Sequence, residues 1–292
     1  MSLKNVIFMG TPAFAVPALR ALADSRFKPI LCISQPDKPQ GRNLKILPTK
    51  IKLTADELGI PIIQPEGINS PHIIKQLSSL KSDIIITVAF GGYLSRKIRE
   101  SAVHGRFNLH PSLLPRYRGA SPIRSTLLQG DKFTGITIFK MQARMDAGPV
   151  IWQSRIEISR DDCYSTLYER LAEQGARDVL RVMESVEQGD YPLVPQNHCE
   201  AVICRKITRV DWLINWAEPA EDIFNKVRAF AWKPGAEAVF REKIIKVIRI
   251  EIEKTRSSLF PGSIVEVRKN YGIIIATSDY DIRIEKIQPA GK

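Results

Sequence analysis

The stretch Asp83-Ile84-Ile85-Ile86-Thr87-Val88-Ala89 constrains the fold most. Its apolar residues are consecutive, not alternate. A strand with one wet face alternates polar and apolar side chains, so this run predicts a strand in a sheet covered on both faces. Parallel sheets are built that way, because their crossover connections place helices on the faces. Lys4-Asn5-Val6-Ile7-Phe8-Met9-Gly10 reads as a second such strand, and residues 29–34 as a third. After Gly10, Thr11 as N-cap and Pro12 at the first helical position predict a helix. Phe14, Ala15, Ala18, Leu19 and Leu22 follow at helical spacing. Strands alternating with helices predict an α/β class with a doubly wound, Rossmann-like sheet. Gly10-Thr11-Pro12-Ala13-Phe14-Ala15 has one of the three glycines that admit a pyrophosphate, so Gly10 is read as structural and not as part of a dinucleotide site.

Further along, a helix is expected from Tyr164 to Gln188, with Leu167, Leu171, Val179, Val182 and Val186 among its apolar residues. Gly189-Asp190-Tyr191-Pro192-Leu193-Val194-Pro195-Gln196-Asn197 reads as a linker, since two prolines and polar neighbours break regular structure. Pro219 to Phe230 predicts a helix, with Glu221 and Asp222 near its positive end. Short strands are expected at Ile244–Ile252, Gly262–Val267, Gly272–Ala276 and Asp281–Ile287, as in a small barrel. A chain of 292 residues is long for a single core. The expected division is an α/β domain over 1–189, a linker over 190–206 and a β domain over 207–292.

Chemistry concentrates in Phe107-Asn108-Leu109-His110-Pro111-Ser112-Leu113-Leu114-Pro115-Arg116-Tyr117-Arg118-Gly119. Residues two apart on a strand face one side, which aligns Asn108, His110 and Ser112. An amide beside an imidazole can polarise a carbonyl and hold the oxyanion formed on attack. A carboxylate follows in Met145-Asp146-Ala147-Gly148, after the apolar run Thr134–Phe139.

The pattern Asn-x-His-x-Ser-Leu-Leu-Pro-x-x-Arg-Gly, with a Met-Asp-x-Gly element downstream, resembles the signature of formyltransferases that use 10-formyltetrahydrofolate. The resemblance spans essentially the whole chain. It implies transfer of a formyl group from the folate to the α-amine of methionyl-tRNA, the initiator, for translation initiation. It implies that Asn108 donates to the developing oxyanion, that His110 adds a second hydrogen bond, and that Asp146 accepts the amine proton and orients His110. Ser112, Leu113, Leu114 and Pro115 match the family's folate-binding turn, and Phe90-Gly91-Gly92-Tyr93 its pterin loop. Two departures stand there: Gly92 replaces a bulkier aliphatic residue, and Ser95 stands where proline is usual. Lys38, Arg42 and Lys45 fall in the family's basic loop, which enters the acceptor-stem groove of tRNA. The resemblance also implies a C-terminal OB-like barrel that binds tRNA; family members usually continue past the segment Gln288-Pro289-Ala290-Gly291-Lys292 with a short basic, aromatic tail, whereas this sequence stops at Lys292.

The formal net charge of +12 favours a polyanionic partner. It weighs against the nearest alternative, a formyltransferase acting on a nucleotide-linked amino sugar. A purine-pathway formyltransferase would not need the second domain. A non-catalytic RNA-binding module would not need Asn108, His110 and Asp146 together. No apolar run approaches the ~20 residues of a membrane span, and the N-terminus lacks a signal-peptide pattern. Cys32, Cys163, Cys199 and Cys204 are few and scattered, as in a reducing cytoplasm. His198 and Cys199 with Cys204 have no second ligand pair at zinc spacing, so no metal is expected. A cytoplasmic monomer is the expectation.

Overall fold

The computed structural model describes residues 2–40, 44–231 and 233–289. Chain order begins β1 (Val6–Gly10), α1 (Val16–Ala23), β2 (Leu31–Ile33), β3 (Lys38–Gln40), β4 (Lys45–Leu47), α2 (Lys50–Glu57), β5 (Ile62–Ile63) and α3 (Pro71–Ser79). It continues β6 (Ile84–Val88), α4 (Arg96–Arg99), β7 (Arg106–His110), β8 (Arg118–Gly119), α5 (Pro122–Leu128), β9 (Phe133–Lys140), β10 (Val150–Glu157) and α6 (Tyr164–Gln188). Last come β11 (Ile203–Cys204), α7 (Ala220–Phe230), β12 (Ala236–Phe240), β13 (Lys243–Ile252), β14 (Ile264–Arg268), β15 (Gly272–Ile275) and β16 (Ile282–Pro289).

The chain divides into two compact units. The first contains Met1–Arg118, Thr134–Ile156 and Tyr168–Ile203. Its frame is a seven-stranded sheet in the order β10-β9-β7-β6-β1-β2-β5. β1 lies between β2 and β6, parallel to both, and β7 continues parallel beside β6. β9 then runs antiparallel to β7. Every residue of β1 and β6 is buried, as the uninterrupted apolar runs require. Each large aliphatic side chain so buried contributes about 1.5–3 kcal/mol. On α6, Leu171, Val179, Val182, Met183 and Val186 are buried at helical spacing. Gly175 lets this helix close on β7, since a Cβ there would lie 2.6 Å from Leu109 Cδ1.

Thr11 does not cap a helix. A short 3-10 turn, Ala13–Ala15, precedes α1, and Pro12 stands at its cap. The Thr11 hydroxyl instead donates to the Phe90 carbonyl at 3.0 Å and accepts from the Gln35 N–H at 3.3 Å. It ties together the segments that leave β1, β2 and β6. Gly10 is structural: a Cβ there would meet Ala15 Cβ at 2.8 Å.

The second unit comprises Gly119–Phe133, Glu157–Leu167 and Cys204–Lys292. Its five-stranded antiparallel sheet has the order β12-β13-β16-β15-β14. Register shifts interrupt the β13–β16 ladder around Arg249, and such bulges bend a strand and increase its twist, as small curled sheets need. α7 packs on β13, and α5 packs on α7. Strand β12, absent from the sequence reading, forms one edge and joins β13 by a two-residue turn at Arg241-Glu242. Among the described residues, no helix is long and apolar enough to cross a membrane.

Candidate active site

The candidate site lies at the end of β7, within the first unit. Arg106, Asn108 and His110 occupy alternate positions of this strand, and Phe107 and Leu109 take the opposite face. Asn108 is half-buried, while His110 is buried. The His110 ring is held from two sides. Its Nε2 stands 2.8 Å from the Tyr117 carbonyl oxygen. That oxygen only accepts, so Nε2 carries a hydrogen and donates. Nδ1 faces Asp146 Oδ2 at 3.7 Å. This is too long for a direct hydrogen bond. Asp146 has φ of 48°, in the left-handed region that aspartate enters more readily than most residues with a Cβ. Tyr117, on the other side of the ring, also has positive φ, at 60°.

Two neighbours hold the Asp146 turn. Gly148 lets it approach β9, because a Cβ would sit 1.8 Å from the Lys140 carbonyl oxygen. Gln196 Nε2 donates to the Asp146 carbonyl at 3.0 Å and the Gly148 carbonyl at 2.7 Å. Gln196 Oε1 accepts from Arg118 Nε at 3.0 Å and Nη2 at 2.6 Å. Arg118 Nη2 also bonds His198 Nδ1 at 3.0 Å, which must accept because a guanidinium only donates. Burial lowers the Arg118 pKa from its ordinary value, the Arg144 charge adds to that, and Asp146 opposes it. A second buried arginine, Arg106, shares the β7 face with Asn108 and His110. It donates to Thr87 Oγ1 through Nε and Nη2. Burial, aided by the Arg99 charge, pushes its pKa down to about 9.

The turn after His110 is fixed by a hydrogen bond of its own and by bonds from β9 and β10. Ser112 is fully buried, and its hydroxyl donates to the Arg116 carbonyl at 2.7 Å. The Ser112 carbonyl accepts from Thr137 Oγ1 at 2.6 Å, and Gln153 Nε2 donates to both Thr137 Oγ1 and the Leu114 carbonyl. The Leu114–Pro115 bond is cis. Leu114 is buried, and Leu113 and Pro115 are half-buried. Leu113 packs at Gly135, where a Cβ would meet its Cδ2 at 2.6 Å. Ser112 therefore offers no free hydroxyl, and this turn presents apolar side chains and backbone.

Phe90 and Gly91 line a cavity of about 300 Å³ together with Thr11, Pro12, Gln35, Lys38 and Thr49. It opens where the chain leaves β1, β2 and β6. There the strand order reverses direction, which is the usual ligand position in such sheets. Phe90 is also part of the hydrophobic core. Gly92 suits its surroundings, since a Cβ would come within 2.8 Å of Phe90 Cε1 and 3.0 Å of Gln35 Nε2. Tyr93 is exposed. Lys38 and Lys45 are exposed on the β3–β4 hairpin, and Lys52 pairs with Asp37 at 2.6 Å. That bond, then one from Gln64, lowers the Asp37 pKa from its ordinary value. Arg42 lies outside the described residues. Among the described residues, no group of three or more His, Cys, Asp or Glu side chains is placed to hold a metal.

The structure thus brings Asn108, His110 and Asp146 to one strand end, and Phe90 and Gly91 to a cavity with Lys38. Gln196 and Arg118 escaped the sequence reading as functional residues. Arg118 stands inside the quoted motif, but nothing local indicates its partner. Gln196 directly follows Pro195 in a stretch that reads as linker, yet it is buried, and Val194 nearby exchanges two 2.8 Å backbone bonds with Val150.

A family model described as "Formyl transferase" matches residues 4–183, and one described as "Formyl transferase, C-terminal domain" matches residues 206–292. A Kosmotoga olearia protein named methionyl-tRNA formyltransferase is 40% identical over 289 residues, covering 99% of this chain and 93% of that protein. A Thermotoga neapolitana protein of the same name is 36% identical, with 99% and 91% covered. Among solved structures, a Helicobacter canadensis N-formyltransferase in complex with folinic acid and dTDP-3-aminofucose aligns with a TM-score of 0.74 at 18% identity, covering 98% of this chain and 100% of that one. Aquifex aeolicus HypX in complex with tetrahydrofolic acid aligns at 0.65 and 18%, covering all of this chain and 45% of its own. At those identities the structural likeness speaks for the fold.

Proposed function

The chain belongs to the formyl transferase family, and from that premise we infer that it formylates the α-amino group of methionyl-tRNA, with 10-formyltetrahydrofolate as donor. The observation that carries the chemistry is the His110 ring, fixed at Nε2 by the Tyr117 carbonyl and facing Asp146 through Nδ1 beside Asn108. The full-length relatives carry the choice of acceptor.

A free α-amine has a pKa of about 8, so enough is neutral near pH 7 to attack. The amine nitrogen bonds to the formyl carbon, and the carbonyl electrons move onto oxygen. Asn108 Nδ2 donates to that oxyanion. His110 supplies the second hydrogen bond from its Nδ1 side, since its Nε2 hydrogen is committed to the Tyr117 carbonyl. Asp146 accepts the amine proton, directly or through water. Collapse of the adduct expels the folate nitrogen, which takes that proton. A buried, pre-oriented donor set is worth more here than the same groups in water. Folate is held by the apolar turn Leu113-Leu114-Pro115 and the Phe90–Tyr93 loop.

Residues 1–189 form the catalytic domain, 190–206 connect, and 207–292 help bind tRNA together with the basic loop of Lys38, Arg42 and Lys45. The enzyme works as a cytoplasmic monomer. The test supplies labelled 10-formyltetrahydrofolate with charged initiator tRNA, charged elongator tRNA or a nucleotide-linked amino sugar. Label is expected on the initiator tRNA; label only on the amino sugar would overturn the assignment.

A further inference from the structure

We propose that Gln196 is a positioning residue for the reaction: its side-chain amide holds the Asp146 turn and locks it to the segment that orients His110. The proposal rests on the formyl-transfer reading above, in which Asp146 takes the amine proton.

The amide is used on both sides. Nε2 has two hydrogens, and both point at carbonyl oxygens of the Asp146 turn, at 3.0 and 2.7 Å. Oε1 receives two hydrogens from Arg118. Carbonyls only accept and a guanidinium only donates, so one orientation of the amide satisfies all four contacts. Its reverse would face oxygen with oxygen and nitrogen with guanidinium. Arg118 thus fixes which way Gln196 points, and Gln196 fixes the carbonyls that flank the catalytic carboxylate.

The turn needs such a brace. Asp146 holds a left-handed backbone, and Gly148 is pressed against the end of β9. Without the amide, the Asp146 and Gly148 carbonyls would lose these donors, and the turn could relax. Its carboxylate would then leave its place 3.7 Å from His110 Nδ1. On the far side, Arg118 follows Tyr117 directly, and the Tyr117 carbonyl orients the His110 ring. One amide therefore ties the carboxylate side of the pair to the imidazole side. Gln196 and Arg118 are 8% and 1% exposed, as befits groups acting through their neighbours and not on substrate.

The experiment uses the full chain with methionyl-tRNA and labelled 10-formyltetrahydrofolate. Two variants separate positioning from stability. Gln196→Glu keeps a partner for Arg118 and removes both donors to the turn; Gln196→Met removes the polar contacts at similar volume. Both are expected to melt as cooperative folded proteins. In each, kcat should fall about 10- to 100-fold, as small misplacements of reacting groups do, with KM for both substrates within about twofold. The same substitutions are then made beside Asp146→Asn and read by single-turnover rate. If Gln196 acts through the Asp146 carboxylate, they should cost less than about twofold there.

A folded Gln196→Glu with wild-type kcat would overturn the proposal. So would an equal loss in both backgrounds, which is the mark of a general structural role. Loss of fold in both variants would assign Gln196 to stability and overturn it too. Failure of the underlying reading shows separately: Asp146→Asn alone would then keep the wild-type rate.

Discussion

With Nε2 of His110 bonded to the Tyr117 carbonyl, Nδ1 is the ring nitrogen left to face a reaction centre. Asp146 faces that nitrogen, so the residue-scale prediction concerns its charge. Asp146→Asn keeps the shape and removes the proton acceptor proposed above. The single-turnover formylation rate should fall by about 100- to 10,000-fold, the usual share of general base catalysis, while folate and tRNA affinities persist. A rate near wild type would remove Asp146 from the mechanism. At this scale the sequence was informative where one strand sufficed. Alternation alone puts Asn108 and His110 on one face. It also aligned Ser112, but β7 ends at His110, and the turn directs that hydroxyl to the Arg116 carbonyl. Gln196 was illegible because its partners are 48 to 78 residues away. No local pattern marks an amide whose worth depends on distant carbonyls.

Among the elements, those announced by long apolar runs emerged with only small shifts of boundary. The helix expected over Tyr164–Gln188 is α6, and the Ile-rich run is β6. Strand β12 was hidden for two physical reasons. Its first residues, Ala236-Glu237-Ala238, have low strand propensity. Its hairpin turn, Arg241-Glu242, lacks the Asn-Gly signal of such loops. Both turn residues have positive φ, 46° and 64°. A left-handed backbone costs a residue with a Cβ roughly 1–2 kcal/mol. Replacing Arg241-Glu242 with Asn-Gly should therefore stabilise the second unit by about 1–2 kcal/mol, read as a higher urea midpoint at unchanged slope. A lower midpoint would show that these two side chains are needed where they stand.

At the scale of the whole molecule, the +12 charge was plain in the sequence, but its distribution was not. Of the basic residues around the β3–β4 hairpin, Lys52 pairs with Asp37 and Lys38 borders the cavity. Lys45 is exposed on β4. If the hairpin meets a phosphate backbone, Lys45→Ala should weaken tRNA binding. The slope of log affinity against log salt should become shallower by about 0.9 for one lost contact, with KM for the folate unchanged. An unaltered slope would leave Lys45 without a phosphate contact.

The chain passes between the two compact units at residues 118/119, 133/134, 156/157, 167/168 and 203/204. The second unit is thus inherited from three separated stretches, although its family model covers only the last. A recombination event exchanging residues 204–292 between relatives would bring in a new α7 and leave the old α5, which packs on it. A change on one side of that contact is accordingly felt on the other. Substitutions in α5 and in α7 must remain compatible, because the two helices share one packing surface although they lie far apart in the chain.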